Sequence, residues 1–224
     1  MKKFILVLAV VCIATSLSAQ DKPSFFRSQI IDNSKDANPL QLSIDAYPFL
    51  FLSSGGGGSL GIEFAHWQIG AIGFTVAPPD YIKNTFFESA ENVNVRRNNA
   101  IEIFANYYLR NDRKGIYAGA LGGPEWFVME DGISGVKETI VKNYLVPRLG
   151  FRVFPLKNIF YADASLGWSF NLSGTETKTI GQTSYNASAG GFIYFLQIGA
   201  RVNLIKNKDQ HRAKRNQQKE KKVQ

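Results

Sequence analysis

Asp45, Glu63, Glu102 and Asp163, set against Arg148, Arg152 and Arg201, are the side chains of this sequence whose types invite a chemical reading. A pair of carboxylates at the right separation serves acid–base chemistry, one protonated and one ionised. The same residues have a structural reading. Each sits on the polar parity of an alternating segment, and charges turned into the interior of a small closed sheet must find partners there. Arg152 and Asp163 flank a tight turn at Pro155 to Asn158, which makes them near neighbours. We therefore expect these seven residues to form a structural salt-bridge network in a lumen, because lone buried charges are too costly.

The remaining candidates for chemistry are few. His66 falls in a turn and His211 in a basic tail, with neither the spacing of metal ligands nor the company of a nucleophile. Gly55 to Gly58 is a glycine run without the Lys-Ser/Thr that a phosphate-cradling loop requires, and reads as a loop tip. Cys12 is the single cysteine. No catalytic residue, metal site or cofactor is expected, and the chain is read as non-enzymatic.

The residues around Cys12 explain its presence. Lys2 and Lys3 precede an apolar run from Phe4 to Ala14, and the segment closes at Ala19, so residues 1–19 read as a secretory signal peptide. The alternatives, a retained membrane anchor or a lipoprotein modified at Cys12, fit less well: the run is short for a spanning helix, and Val11 is bulky where a small residue is wanted. With the signal removed, no cysteine remains for disulfides or thiolate metal sites.

The formal charge of +8 points at first to nucleic acid or an anionic surface. Its distribution does not. Two lysines leave with the signal, and the tail 205–224 holds eight basic residues against Asp209 and Glu220, so the body between is neutral. Basicity belongs to the tail, and no nucleic-acid partner is expected. The tail lacks an apolar stripe and reads as a solvated extension able to touch an anionic cell-envelope polymer.

The body is dominated by period-two alternation. From Phe160 to Leu172 every second residue is apolar, and the residues between are Tyr161, Asp163, Ser165, Gly167, Ser169 and Asn171. Ordinary strands stop after about five or six residues, whereas a tilted strand crossing a bilayer needs roughly nine to eleven. Phe192 to Leu204 repeats the pattern. Eight strands are expected: Leu40–Phe51, Ser59–Ala65, Trp67–Val76, Asn98–Leu109, Gly115–Gly123, Ile140–Phe154, Ile159–Leu172 and Gly191–Leu204. Short turns near His66, at 110–114 and at 155–158 alternate with external loops at 52–58, 77–97, 124–139 and 173–190. An even strand number with turns of unequal length describes a bacterial outer-membrane barrel.

Bilayer physics then assigns the faces, since charge on the lipid side costs about 2–4 kcal/mol near the midplane. Apolar parity points outward: Ile44, Ile101, Ile103, Leu149 and Ile198 to lipid, with Asp45, Glu102, Arg148, Arg152, Gln197 and Arg201 to the lumen. The third and fifth strands, rich in Gly and Ala, leave their parity open. Trp67, Tyr107, Phe154 and Phe160 near the short turns, and Trp126, Trp168 and Phe170 near the long loops, would form two aromatic girdles. Pro48 and Pro147 have no harmless edge in a closed sheet, so bulges or frayed pairing are expected there.

Gln197, Gly199, Val202 and Leu204, a polar residue followed by glycine and then two apolar positions, resemble the assembly signal in the last strand of outer-membrane barrels, with Val202 and Leu204 where aromatics are usual. The resemblance implies recognition by the barrel-assembly machinery. The whole segment 40–204 resembles the small eight-stranded barrels typified by OmpX and the OmpA membrane domain.

The expected organisation is a signal peptide at 1–19, a periplasmic leader at 20–39, a closed antiparallel eight-stranded transmembrane β-barrel at 40–204 and a basic periplasmic tail at 205–224. That all-β fold in outer-membrane lipid of a Gram-negative bacterium implies a structural or interaction role through the external loops. A narrow pore, a lipid-modifying enzyme and a soluble periplasmic barrel with an internal ligand are the competing readings.

Overall fold

The computed structural model describes residues 28–29, 39–78, 83, 87–88, 91–156, 158–174, 176–187 and 190–204. The expected signal segment with Cys12, most of the expected leader and the expected tail lie outside them. In chain order the strands are β1 (Gln41–Ala46), β2 (Gly56–Phe64), β3 (Trp67–Val76), β4 (Phe87–Glu88), β5 (Val93–Tyr108), β6 (Gly115–Asp131), β7 (Lys137–Leu156), β8 (Phe160–Trp168), β9 (Phe170–Asn171), β10 (Thr177–Ile180), β11 (Thr183–Ala187) and β12 (Phe192–Asn203). A short helix α1 (Pro48–Leu52) follows β1.

Eight of these strands form the wall, in the order β1, β2, β3, β5, β6, β7, β8, β12, every neighbour antiparallel. The sheet closes at β1, where Gln41 faces Glu63 of β2 on one side and Asn203 of β12 on the other. Closure removes the exposed edges that an open sheet would present. Alternation sorts the side chains: Ile44, Ile101, Ile103, Leu149 and Ile198 are exposed on the outer wall, while Asp45, Glu102, Arg148, Arg152, Gln197 and Arg201 are buried inside. In β3 and β6 the pairing settles what composition leaves open, with Gln68, Ile72, Tyr117 and Leu121 inward and Ile69 and Ile116 outward.

Several element limits differ from the sequence expectation, each for a local reason. β1 ends at Ala46 because Pro48 starts a helix at its first position, where a missing N–H costs nothing. The expected loop 124–139 shrinks to a turn, because β6 and β7 stay paired from Gly115↔Arg152 to Glu130↔Lys137. Pro124 is tolerated within that ladder by pairing on one side only: it lies opposite Asn143, while the β5 ladder skips from Ala100↔Glu125 to Ile103↔Gly122. Pro147 behaves alike, opposite Ala120 on one side, with the other side skipping from Arg148↔Gly167 to Leu145↔Phe170. At that gap Ser169 leaves the ladder and donates its N–H to Gly191 at 2.8 Å.

Beyond the long-loop end, β5, β6 and β7 project outward, and a second sheet, β10-β11-β4, packs on them. Phe87, Val93, Phe127, Met129, Ile140 and Tyr185 form its core. At the opposite end Gln29 is buried against the barrel base, its side-chain oxygen accepting the N–H of Phe154 at 2.9 Å. Gln29, within the expected leader, thus sits on the barrel base.

Candidate functional site

The lumen near the short turns holds a charged layer that excludes water. Glu63, Gln68, Arg113 and Arg152 have no exposed surface. Arg152, on β7, reaches Glu63 at 2.7 Å, Asp163 at 3.0 Å and the Gln68 side-chain oxygen at 2.8 Å. Its guanidinium also lies over the ring of Tyr161 at 4.0 Å, a cation–π geometry. Tyr117 donates to Asp163 at 2.7 Å, and Gln68 accepts further bonds from Asn106 and Tyr108.

Two more guanidiniums enter this layer and fasten the short turns from within. Arg201 approaches Glu63 at 3.4 Å, donates to the carbonyls of Asn158 and Asp112 at 3.0 and 3.1 Å, and rests on Phe154 at 4.0 Å. Arg113 pairs with Glu63 at 3.0 Å, donates to the Ala65 carbonyl at 2.7 Å, and bonds Gln41. Arg113 was not among the seven candidate residues. It lies in the turn between β5 and β6 at a positive φ of 56°, and no alternation pattern announces that a turn residue will fold back into the lumen. Each carboxylate in this layer is occupied by a guanidinium, so the arrangement is a braced plug.

Three candidates stand outside the ion pairs. Among the described residues, Asp45 accepts from Ser59 at 2.7 Å, and Arg148 donates to Asn106 at 3.0 Å while packing near Phe104, Tyr117 and Phe195. Glu102 lies farther toward the long loops, beside Glu125 and Asn98. The reason is height along the strand: Glu63, Arg152 and Asp163 share one level, and these three do not. Phe154 also departs from expectation. It is buried under Arg201 rather than in the outer girdle, where exposed Trp67, Tyr107 and Phe160 remain.

The four residues of the assembly-signal pattern divide by face. Gln197 is buried opposite Asp163, Gly199 lies between Asp45 and Tyr161, and Val202 and Leu204 are exposed on the outer wall.

A second organised centre lies beyond the wall. Asp131 ends β6 and is fully buried; it accepts from the N–H groups of Ile133 at 3.1 Å and Gln182 at 3.0 Å, and from the hydroxyls of Ser134 and Thr183 at 2.5 and 2.8 Å. It thereby ties the β6–β7 turn to the β10–β11 turn. These donors, the Gln182 N–H first, hold its carboxyl well below the usual 3.8. A depressed carboxyl contributes its stability above the unfolded value and loses it as pH falls through the folded one. The tie is therefore expected to survive from neutral pH down through the ordinary carboxylate range. Asp131→Ala should instead release the β10–β11 hairpin at neutral pH, read as faster amide exchange at Gln182 and proteolysis within 177–187. Unchanged exchange at Gln182 would show that the apolar core alone holds the small sheet.

Together the wall, the plug and the outer module define an eight-stranded antiparallel barrel with a salt-bridged interior. No known protein family and no curated protein matches the sequence. Among solved structures it is similar to the N-terminal β-barrel domain of Pseudomonas aeruginosa OprF, at 14% identity and a TM-score of 0.42, over 72% of this chain and 97% of that domain.

Proposed function

We propose that the chain is an outer-membrane β-barrel that acts through the module it presents at its long-loop end. The observation that carries the membrane part is the distribution of polarity. Ile103 and Leu149 are 73% and 66% exposed on the outer wall, in company with Leu60, Ile69, Ile101 and Ile198, while Glu63 and Arg152 are wholly buried inside. In water such a surface would be a large uncovered apolar patch; in a bilayer it is the solvated face. Aromatic residues stand at both margins, Trp67 against Tyr107 at 5.0 Å near the short turns and Trp168, Phe170, Phe192 and Tyr194 near the long loops.

The interaction role rests on the projecting ends of β5, β6 and β7 with the small sheet. There Arg96, at a bulge, grips Glu130 with two bonds at 2.8 and 2.6 Å, and Lys137 joins at 3.4 Å. Exposed Arg96 and Lys137 support the reading that the wall leaves lipid there and meets water. A braced surface of this kind suits contact with another molecule.

Fractionation of the producing cells tests the membrane reading. The protein is expected in the outer-membrane fraction, as a band whose gel mobility shifts on boiling. Recovery in the soluble periplasm without a shift would reject it.

A further inference from the structure

The lumen beyond the plug is not filled. A cavity of about 440 Å³ lies there, within the roughly 300–1,000 Å³ range of small-molecule sites. Ile72, Leu121 and Val146 line it toward the plug, and Phe87 and Phe127 line it toward the outer module.

Its buried polar atoms include acceptors in want of donors. Asn98 donates its amide N–H to Glu125 at 2.5 Å, yet among the described residues its own side-chain oxygen has no partner, and neither has the Ser169 hydroxyl. No hydrogen bond from the described residues reaches the Glu102 carboxyl. Asn98, Glu102, Glu125 and Ser169 are 6, 3, 6 and 1% exposed. Buried polar atoms are nearly always satisfied, so two orphaned oxygens beside two buried carboxyls on one cavity wall point to a missing ligand. Lys83 also lines the cavity, with its ammonium 3.3 Å from the Val93 carbonyl, and the charge of Arg148 acts on Glu102.

The wall is breached on the far side. Because β1 ends at Ala46, opposite Ile198, the segment 192–197 of β12 has no strand beside it on that edge among the described residues. Helix α1 fills the gap, with Phe49 edge-on to Tyr194 at 6.3 Å. Leu52, Phe192 and Tyr194 line the cavity and are also 70, 58 and 50% exposed on the outer wall, so the cavity opens sideways between α1 and β12. In the ring of eight, β5 and β6 stand opposite β12 and β1. The carboxyls therefore face the mouth across the lumen.

We propose that this chamber binds a single-chain amphiphile entering from the bilayer between α1 and β12, its head donating hydrogen bonds to Glu102, Glu125 and Asn98. The chemical class is an alkyl amine or alcohol. A fatty acid is disfavoured because its ionised head only accepts hydrogen bonds and would bring negative charge beside two buried carboxyls away from water. The inference rests on the membrane reading, since the mouth opens at the height of the apolar belt.

Native mass spectrometry of the full chain, released from detergent after incubation with dodecylamine, 1-dodecanol or dodecanoate, tests it. One equivalent of the amine or alcohol should be retained, with dodecanoate weaker by about tenfold, the size of one lost charge-assisted bond. Glu102→Gln combined with Glu125→Gln should abolish that preference, and Val146→Trp, which fills the chamber, should abolish retention; Leu121→Phe serves if the tryptophan variant loses its boiling shift. Failure of the shifted, folded protein to retain either donor chain overturns this inference and leaves the membrane reading standing. So does dodecanoate held as tightly, or full retention by the filled variant.

Discussion

Replacing Arg152 with alanine is expected to lower the unfolding free energy of the barrel by about 3–5 kcal/mol, the usual effect of removing one partner from a buried ion pair. The variant loses the bonds to Glu63, Asp163 and Gln68 at 2.7, 3.0 and 2.8 Å together with the stacking on Tyr161. Glu63 keeps Arg113 and Arg201. Among the described residues Asp163 keeps only the Tyr117 hydroxyl, so the uncompensated charge is chiefly there. Adding Asp163→Asn to Arg152→Ala should therefore recover part of the loss, whereas adding Glu63→Gln should deepen it by stranding Arg113 and Arg201. Urea unfolding of the refolded protein in detergent, followed by the boiling shift on gels, measures all three. A loss below about 1 kcal/mol for Arg152→Ala would place the network among weak surface-like pairs. Planar-bilayer recording gives an independent readout. The native plug should hold conductance near background, and the alanine variant should raise it by opening the lumen between Tyr108 and Tyr161.

The strand residues of the charged layer, Arg113 of the turn excepted, are legible in the sequence because alternation does two jobs at once. In β8 and β12 it gives strand length, and through the cost of charge in lipid it also assigns Asp163 and Arg201 to the lumen. Which charges meet depends on height along the tilted strands, and period two carries no such information. Glu63 and Arg152 are 89 residues apart in sequence and 2.7 Å apart in space. Asp45, Glu102 and Arg148 have the correct parity but lie at other levels.

The hidden features share a physical cause. Arg113 and Glu125 sit in segments whose composition reads as turn or loop, beside Gly115 and Pro124. The β6–β7 ladder overrides Pro124 because one missing N–H is a small loss beside the many bonds that continue on the other side. The run Pro48–Phe51 reads as strand by its apolar content and becomes, with Leu52, a helix because proline favours the first turn. That single substitution of helix for strand shortens β1 and opens the wall, so the chamber's mouth depends on the element least visible in the pattern.

Gly199→Val is expected to destabilise the folded barrel by about 1–3 kcal/mol, the cost of overpacking a filled interior. A Cβ at this position would stand 2.2 Å from the Asp45 carboxyl and 2.4 Å from the Tyr161 ring. That ring has little freedom to retreat: it carries the Arg152 guanidinium at 4.0 Å on one face and meets Phe154 at 5.4 Å. The sequence resemblance gives this glycine a different role, as part of a signal read by the assembly machinery, and the two roles separate experimentally. Purified protein refolded from urea into detergent never meets that machinery. Lower stability there, with partial rescue by Tyr161→Ala, identifies Gly199 as the seat of the tyrosine ring. Native stability after refolding in detergent, combined with poor insertion in cells, would instead assign the glycine to recognition. Gly150 supplies the internal control, because it lies outside the last strand yet accommodates Tyr117 in the same way, with a Cβ there 2.2 Å from that ring. If close packing against an aromatic ring is the cause, Gly150→Val should match Gly199→Val in detergent.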